Sequence, residues 1–185
     1  MKPRALIETL NVAERLKDTT RHCYTSGGRH ESVAEHCWRA ALMAWFLRDE
    51  FPEADMNKVI AMLLIHDLGE AFTGDIPAFK KNEAHEQLEA DLLAQWVCSL
   101  PEPYASEMIA LYVEMDARQT LEAKIYKALD GIEAVLQHNE SDLSTWIPEE
   151  YELNRTYAQD KVGFSPYLTA LRQMISDDTK KKLGE

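Results

Sequence analysis

The stretch LLIHDLGEAFTGD, residues 63–75, sets His66 and Asp67 side by side at the end of an apolar run, with Glu70 and Asp75 close behind. Burying an ionised carboxylate costs roughly several kcal/mol unless it is paired or holds a metal. Either the run surfaces at its end, or a cation waits there. Glu70 lies four residues after His66 and three after Asp67, so on a helix the three side chains share one surface. Asp75 follows Gly74 in TGDIP, a turn able to fold it back over that surface. His36 is the fourth residue after Ser32 in SVAEH, where Ser32 and Glu35 form a capping box, so it belongs to the first turn of its helix. Imidazole nitrogens and carboxylate oxygens together suit a divalent first-row ion such as Mn, Fe, Co, Ni or Zn. A His-Asp dipeptide alone is weak evidence, because histidines on helices are more often surface groups or satisfied core residues. Spacing does not by itself make the five groups converge.

Helices must position these groups. Leu6, Leu10, Ala13 and Leu16 mark the first, and the second runs from the Ser32 cap to Pro52. The third is expected from an Asp55 cap to Gly69. Leu88, Leu92, Trp96 and Leu100 trace a fourth, ended by Pro101 and Pro103, and Tyr104, Met108, Leu111 and Met115 a fifth. Leu121, Ile125, Ala128, Ile132 and Val135 carry a sixth. Ser165-Pro166 opens a last helix through about Ser176, with 139–148 as a loop and DDTKKKLGE as a frayed tail. β-branched alternation is nowhere sustained, so the class is all-α, and no repeat or linker divides residues 1–185 into more than one domain.

Composition restricts the partners. The net charge is −12, which argues against nucleic-acid polymers and anionic membranes. A small phosphorylated substrate stays compatible, since a bound metal reverses the local field. No apolar stretch approaches the roughly 20 residues that span a bilayer. The N-terminal MKPRALIETLNVAERLKD does not read as a signal peptide. Cys23, Cys37 and Cys98, odd in number and without a CxxC pair, read as reduced thiols of a cytoplasmic protein. Trp45 and Phe46, with the stripe through Met108, Leu111 and Met115, are more apolar surface than a short chain easily buries, so a homodimer is expected.

Three segments in order, ESVAEHCWRAALMA, LLIHDLGEAFTGD and YKALDGIEAVLQ, carry a distant His, a consecutive His-Asp and a later Asp. This pattern, from Arg21 to about Gln137, resembles the HD-domain metal-dependent phosphohydrolases. The resemblance is strongest to their 5′-deoxynucleotidase-like branch, in which an acidic residue and a T-G-D-x-P turn follow the pair, as Glu70 and Thr73-Gly74-Asp75-Ile76-Pro77 do here. It implies a compact bundle of about six to eight helices. It also implies one divalent ion (Mn, Co, Fe, Ni, Zn or Mg) held by His36, His66, Asp67 and Asp130. Glu70 and Asp75 would act near phosphate and water, on a small nucleotide substrate. Arg21 and Arg29 match arginines of the branch that hold substrate; for either, the alternative is a solvated surface residue. His22 stands where the branch has a tryptophan beside the sugar, which leaves the choice between deoxyribose and ribose open. Relatives in the branch are often dimers. Asp130 rests on the resemblance, because periodicity sets it opposite the apolar face of the sixth helix, where an exposed residue is expected. Small or aromatic neighbours there, Ala123, Tyr126 and Ala134, leave room for a second buried face. His22, His30, His85 and His138 have no place in the metal signature.

Rival readings remain. A cyclic-dinucleotide phosphodiesterase of the superfamily would carry a G-Y-P motif, which is absent. Oxygenase and two-metal members add histidines soon after the His-Asp pair, and here the next is His85. A non-catalytic helical module holding a structural metal has no use for free carboxylates such as Glu70 and Asp75 beside its ligands.

Overall fold

Capping residues set most helix starts. The computed structural model describes residues 1–77 and 79–185. α1 spans Pro3–Arg15, and a two-stranded antiparallel hairpin follows, β1 (Thr20–Tyr24) and β2 (His30–Ser32). In α2 (Val33–Phe46) the Ser32 hydroxyl accepts from Glu35 N while Glu35 accepts from Ser32 N, the expected capping box. Asp55 caps α3 (Met56–Ile65), and Ser165 caps α9 (Pro166–Leu183). Between them lie α4 (Glu70–Thr73), α5 (Glu83–Cys98), α6 (Tyr104–Ala117), α7 (Leu121–Glu140) and α8 (Pro148–Thr156). The class is all-α, with one small hairpin. None of the described helices is long and apolar enough to cross a membrane.

α7 is the axis of the bundle, packed by α2, α3, α6, α9 and β1. Ala40, Ala44, Val59, Met62, Leu63, Ile125, Leu129 and Ile132 form the centre of the core. A smaller cluster of Leu16, Val33, Cys37 and Leu68 closes the end where α1 meets α2 and α4. A buried Leu or Ile of this kind contributes about 1.5–3 kcal/mol by leaving water.

The structure departs from the sequence pattern in several places, and α2 itself ends at Phe46 rather than near Pro52. α3 stops at Ile65 rather than Gly69, because Leu68 N and Glu70 N bond three residues back, to Ile65 O and Asp67 O, and tighten the chain into a turn. The hairpin was not expected; strands of five and three residues are too short for alternation to register. The loop expected over 139–148 shrinks, since α7 continues to Glu140 and α8 begins at Pro148, where Glu150 accepts from Ile147 N at 2.8 Å. The C-terminal tail is helical to Leu183: Thr179 is buried against Asn139 and Asn154, and three lysines favour the helix C-terminus. The Met108, Leu111 and Met115 side of α6 turns inward against the two clusters. The large apolar surface left over is on α2, where Trp38, Trp45 and Phe46 are 61%, 50% and 74% exposed.

Candidate metal centre and active site

Three elements deliver the expected donors to one point. The Ser32 cap starts α2 one turn before His36, which is thereby buried against α7. The turn after α3 carries His66 and Asp67, and α7 presents Asp130 between them. His36 Nε2 lies 3.2 Å from Asp130 Oδ1 and 3.8 Å from Asp67 Oδ2. His66 Nε2 lies 3.1 Å from Asp67 Oδ2 and 3.5 Å from Asp130 Oδ1. Four donor atoms separated in this way match the edges of a coordination shell whose ligand bonds are about 2.0–2.2 Å.

The surroundings of the donors fit an ion. His66 Nδ1 donates to Leu63 O at 2.8 Å, which leaves Nε2 as the nitrogen that can exchange a proton for an ion, and this buried Nε2 has no hydrogen-bond partner among the described residues. His36 Nδ1 is held by Glu133, again turning Nε2 toward the centre. Burial alone would push Asp67 up, but the neighbouring His66 and His36 outweigh it and hold the carboxyl at about 2. Burial likewise opposes ionisation of Asp130, yet Lys127, His36 and His66 keep it well below the usual carboxylate range. Both carboxylates are charged and each lies within 3.8 Å of both imidazole Nε2 atoms, a state that a divalent cation stabilises.

Glu70 and Asp75 line the same cavity, each with a buried oxygen that lacks a hydrogen-bond partner among the described residues. Burial first, then the charges of Asp67, Asp75 and Glu89, push Glu70 up to about 10. Burial raises Asp75, with Arg21 opposing. Arg21 also lines the cavity; its Nη1 donates to Glu31 at 3.1 Å and to Glu133 at 3.4 Å, which fixes the guanidinium. His22 is on the wall as well, edge-on to Phe79 at 5.6 Å between ring centroids. Arg29 is not brought to the cavity. It is exposed at the hairpin turn and forks onto Glu35, the capping-box carboxylate on the outer side of α2.

The sequence reading passed over Lys127, Glu133 and Glu31. Lys127 Nζ donates to Asp130 Oδ2 at 2.7 Å. Glu133 ties His36 to Arg21, and Glu31 backs Arg21 from β2. The signal was available as spacing: Lys127, Asp130 and Glu133 recur every three residues on one helix.

Comparison with known proteins places the chain in a family. The family model of the HD domain matches residues 13–171. The human protein named 5′-deoxynucleotidase HDDC2 is 33% identical over 142 residues, covering 74% of this chain and 68% of that one. Its Dictyostelium discoideum namesake is 31% identical over 188 residues, covering 96% and 94%. The crystal structure of a predicted metal-dependent phosphohydrolase from Magnetospirillum magnetotacticum superposes with a TM-score of 0.82 at 27% identity, over 97% of this chain and 93% of that one. The chain therefore belongs to the HD-domain family and is a divalent-metal-dependent phosphohydrolase.

Proposed function

We propose that the protein hydrolyses deoxynucleoside and nucleoside 5′-monophosphates to the nucleoside and inorganic phosphate. The observation that carries this reading is the pair of free carboxylates, Glu70 and Asp75, in one cavity with His36, Asp67, Asp130 and a fixed arginine, while His66 Nε2 approaches Asp67 and Asp130 from behind the wall. Relatives named 5′-deoxynucleotidase support the substrate class.

His36, His66, Asp67 and Asp130 would hold the ion. When bound, it supplies a Lewis acid for a phosphate oxygen and lowers the pKa of a neighbouring water. Arg21 offsets the charge on the phosphoryl oxygens; Glu31 and Glu133 keep it from collapsing onto Asp67. Of Glu70 and Asp75, one takes the proton of the attacking water and the other delivers a proton to the departing 5′ oxygen. The P–O bond to the sugar breaks as the new P–O bond to water forms, so nucleoside and phosphate leave with the protons balanced. His22 on the wall, where the branch has a tryptophan, leaves the 2′ position open to either sugar.

The test is phosphate release from deoxy- and ribonucleoside 5′-monophosphates, and from bis(p-nitrophenyl) phosphate, with Mn²⁺ or Co²⁺ added. Turnover of monophosphates is expected. Hydrolysis of the diester with no monophosphate turned over refutes the monoesterase reading and makes the chain a phosphodiesterase.

We also propose a homodimer through the outer face of α2, where Trp38, Leu42, Trp45 and Phe46 form one exposed apolar stripe. Light scattering giving a monomer mass at micromolar concentration overturns it. The three cysteines are free, which supports a reducing, cytoplasmic setting.

A further inference from the structure

His22 and His138 are not among the four catalytic donors, yet the fold brings them together. His22 comes from β1, His138 from the last turns of α7, and Glu150 from the first turn of α8 reaches both. Glu150 Oε1 lies 3.2 Å from His22 Nε2 and 3.1 Å from His138 Nε2. Neither approach has hydrogen-bond geometry: both Nε2 atoms are buried without a hydrogen-bond partner among the described residues. The orientations of His138 and Glu150 are nevertheless set, while both ring nitrogens of His22 are left without a partner among the described residues. His138 Nδ1 donates to Ala134 O at 3.3 Å, which leaves the lone pair on Nε2, and Glu150 Oε2 accepts from Ile147 N, which aims Oε1 at the imidazoles. The ligating atoms of the three residues all lie within 4.8 Å of one another.

An ion bound tetrahedrally at about 2.0–2.1 Å needs its ligand atoms about 3.3–3.4 Å apart, so the two distances to Glu150 require only a slight opening. We propose that His22, His138 and Glu150 form a second metal site, selective for a late first-row divalent ion and best suited to Zn²⁺. It is not half of a two-metal catalytic centre. Asp130 and His138 both line the cavity from α7, eight residues and therefore about 12 Å apart along the helix, against roughly 3.5–4 Å in paired-metal sites. Three protein ligands leave a fourth position, and since all three residues line the cavity, that position is open to a donor atom of a bound small molecule or to water.

The test is metal content by mass spectrometry after the purified protein is stripped with a chelator and dialysed against micromolar Zn²⁺. The full chain is expected to hold two Zn²⁺ per protein, and His22→Gln and Glu150→Gln one each; the glutamine at 150 keeps an oxygen for Ile147 N, so α8 stays capped. Asp67→Ala is expected to keep one Zn²⁺, and anomalous diffraction at the zinc edge on that variant should place it between His22, His138 and Glu150. A wild-type stoichiometry of one, both second-site variants still holding two, or the anomalous peak lying elsewhere overturns the proposal. Failure of Asp67→Ala to lose an ion, with the second-site variants each losing one, counts against the catalytic assignment alone.

Discussion

Glu133 should control metal affinity without touching the ion. Its side chain is fully buried, with Oε2 accepting from His36 Nδ1 and lying 3.4 Å from Arg21 Nη1, and with Oε1 3.7 Å from Arg39 Nε. Burial would push its carboxyl up, but His36, Arg21 and Arg39 outweigh burial and keep it charged. A charged acceptor on Nδ1 fixes the imidazole and makes Nε2 the better donor, and loss of such a partner typically weakens metal binding about 10–100-fold, or about 1.4–2.7 kcal/mol. Glu133→Gln is nearly isosteric and keeps one acceptor oxygen for His36, so it should sit near the tenfold end, with Glu133→Ala near the hundredfold end. The protein should stay folded, because Arg21 keeps Glu31 and Arg39 keeps Gln137 and Glu140. The glutamine NH₂ facing a guanidinium costs about 1–3 kcal/mol of stability. The assay is calorimetric Mn²⁺ titration of chelator-stripped wild type and variants, with thermal unfolding run alongside. Wild-type Mn²⁺ affinity in Glu133→Gln with a reduced kcat/KM refutes the argument; Glu133 would then serve only to place Arg21.

Three further outcomes follow from named contacts. Asp67→Ala should lose both the catalytic ion and activity, whereas Glu70→Ala should keep the ion and lose about 10²–10⁴-fold in kcat; metal analysis and phosphate release check this, and a Glu70→Ala protein stripped of the ion makes Glu70 a ligand. In Gly131→Ala the new Cβ would lie 2.6 Å from the Ala158 Cβ, on a backbone held at φ +64°. Mid-range overpacking of about 2 kcal/mol less the roughly 1 kcal/mol gained in helix propensity leaves a loss of about 1 kcal/mol, so Tm should fall by about 2–4 °C, and a higher Tm refutes the clash. Glu114 feels burial that would raise its pKa, but hydrogen bonds from Lys58 and Thr120 outweigh it and hold the carboxyl below its ordinary 4.5. Its stabilisation is therefore full above pH 4.5 and lost as pH falls through the lower folded value. The Tm gap between wild type and Glu114→Gln, worth up to about 1 kcal/mol at pH 7, should close toward pH 3, and a gap that persists there refutes the pairing.

Local signals were readable where the physics is local. Ser32, Asp55 and Ser165 cap helices through hydrogen bonds two or three residues away, and all three starts were legible. The grouping of His66, Asp67 and Glu70 was legible for the same reason. Periodicity misplaced Asp130 because it equates the polar stripe of a helix with solvent. α7 is covered on every side, so its polar stripe faces the interior, and the charges there persist because each has a partner: Lys127 on Asp130, His36 and Arg21 on Glu133. His138 lies on that stripe too, and its partners, His22 and Glu150, come from elements that periodicity did not reveal.

The two arginines show why distance along the chain misleads. Arg29 is seven residues from His36 and Arg21 fifteen, yet Arg21 reaches the cavity. The capping box at Ser32 turns the chain from β2 into α2 and sends His36 inward, while the hairpin pairs Tyr24 with His30 and so leaves Arg29 at its outer turn. From there the nearest carboxylate is Glu35, already committed to the cap. Arg21, the second residue of β1, lies against α7, and Glu133 of α7 and Glu31 of β2 meet its guanidinium. Arg21 therefore faces the cavity from the hairpin strand that packs on the central helix while Arg29 does not, and a functional loss on Arg21→Ala without one on Arg29→Ala is the expected result.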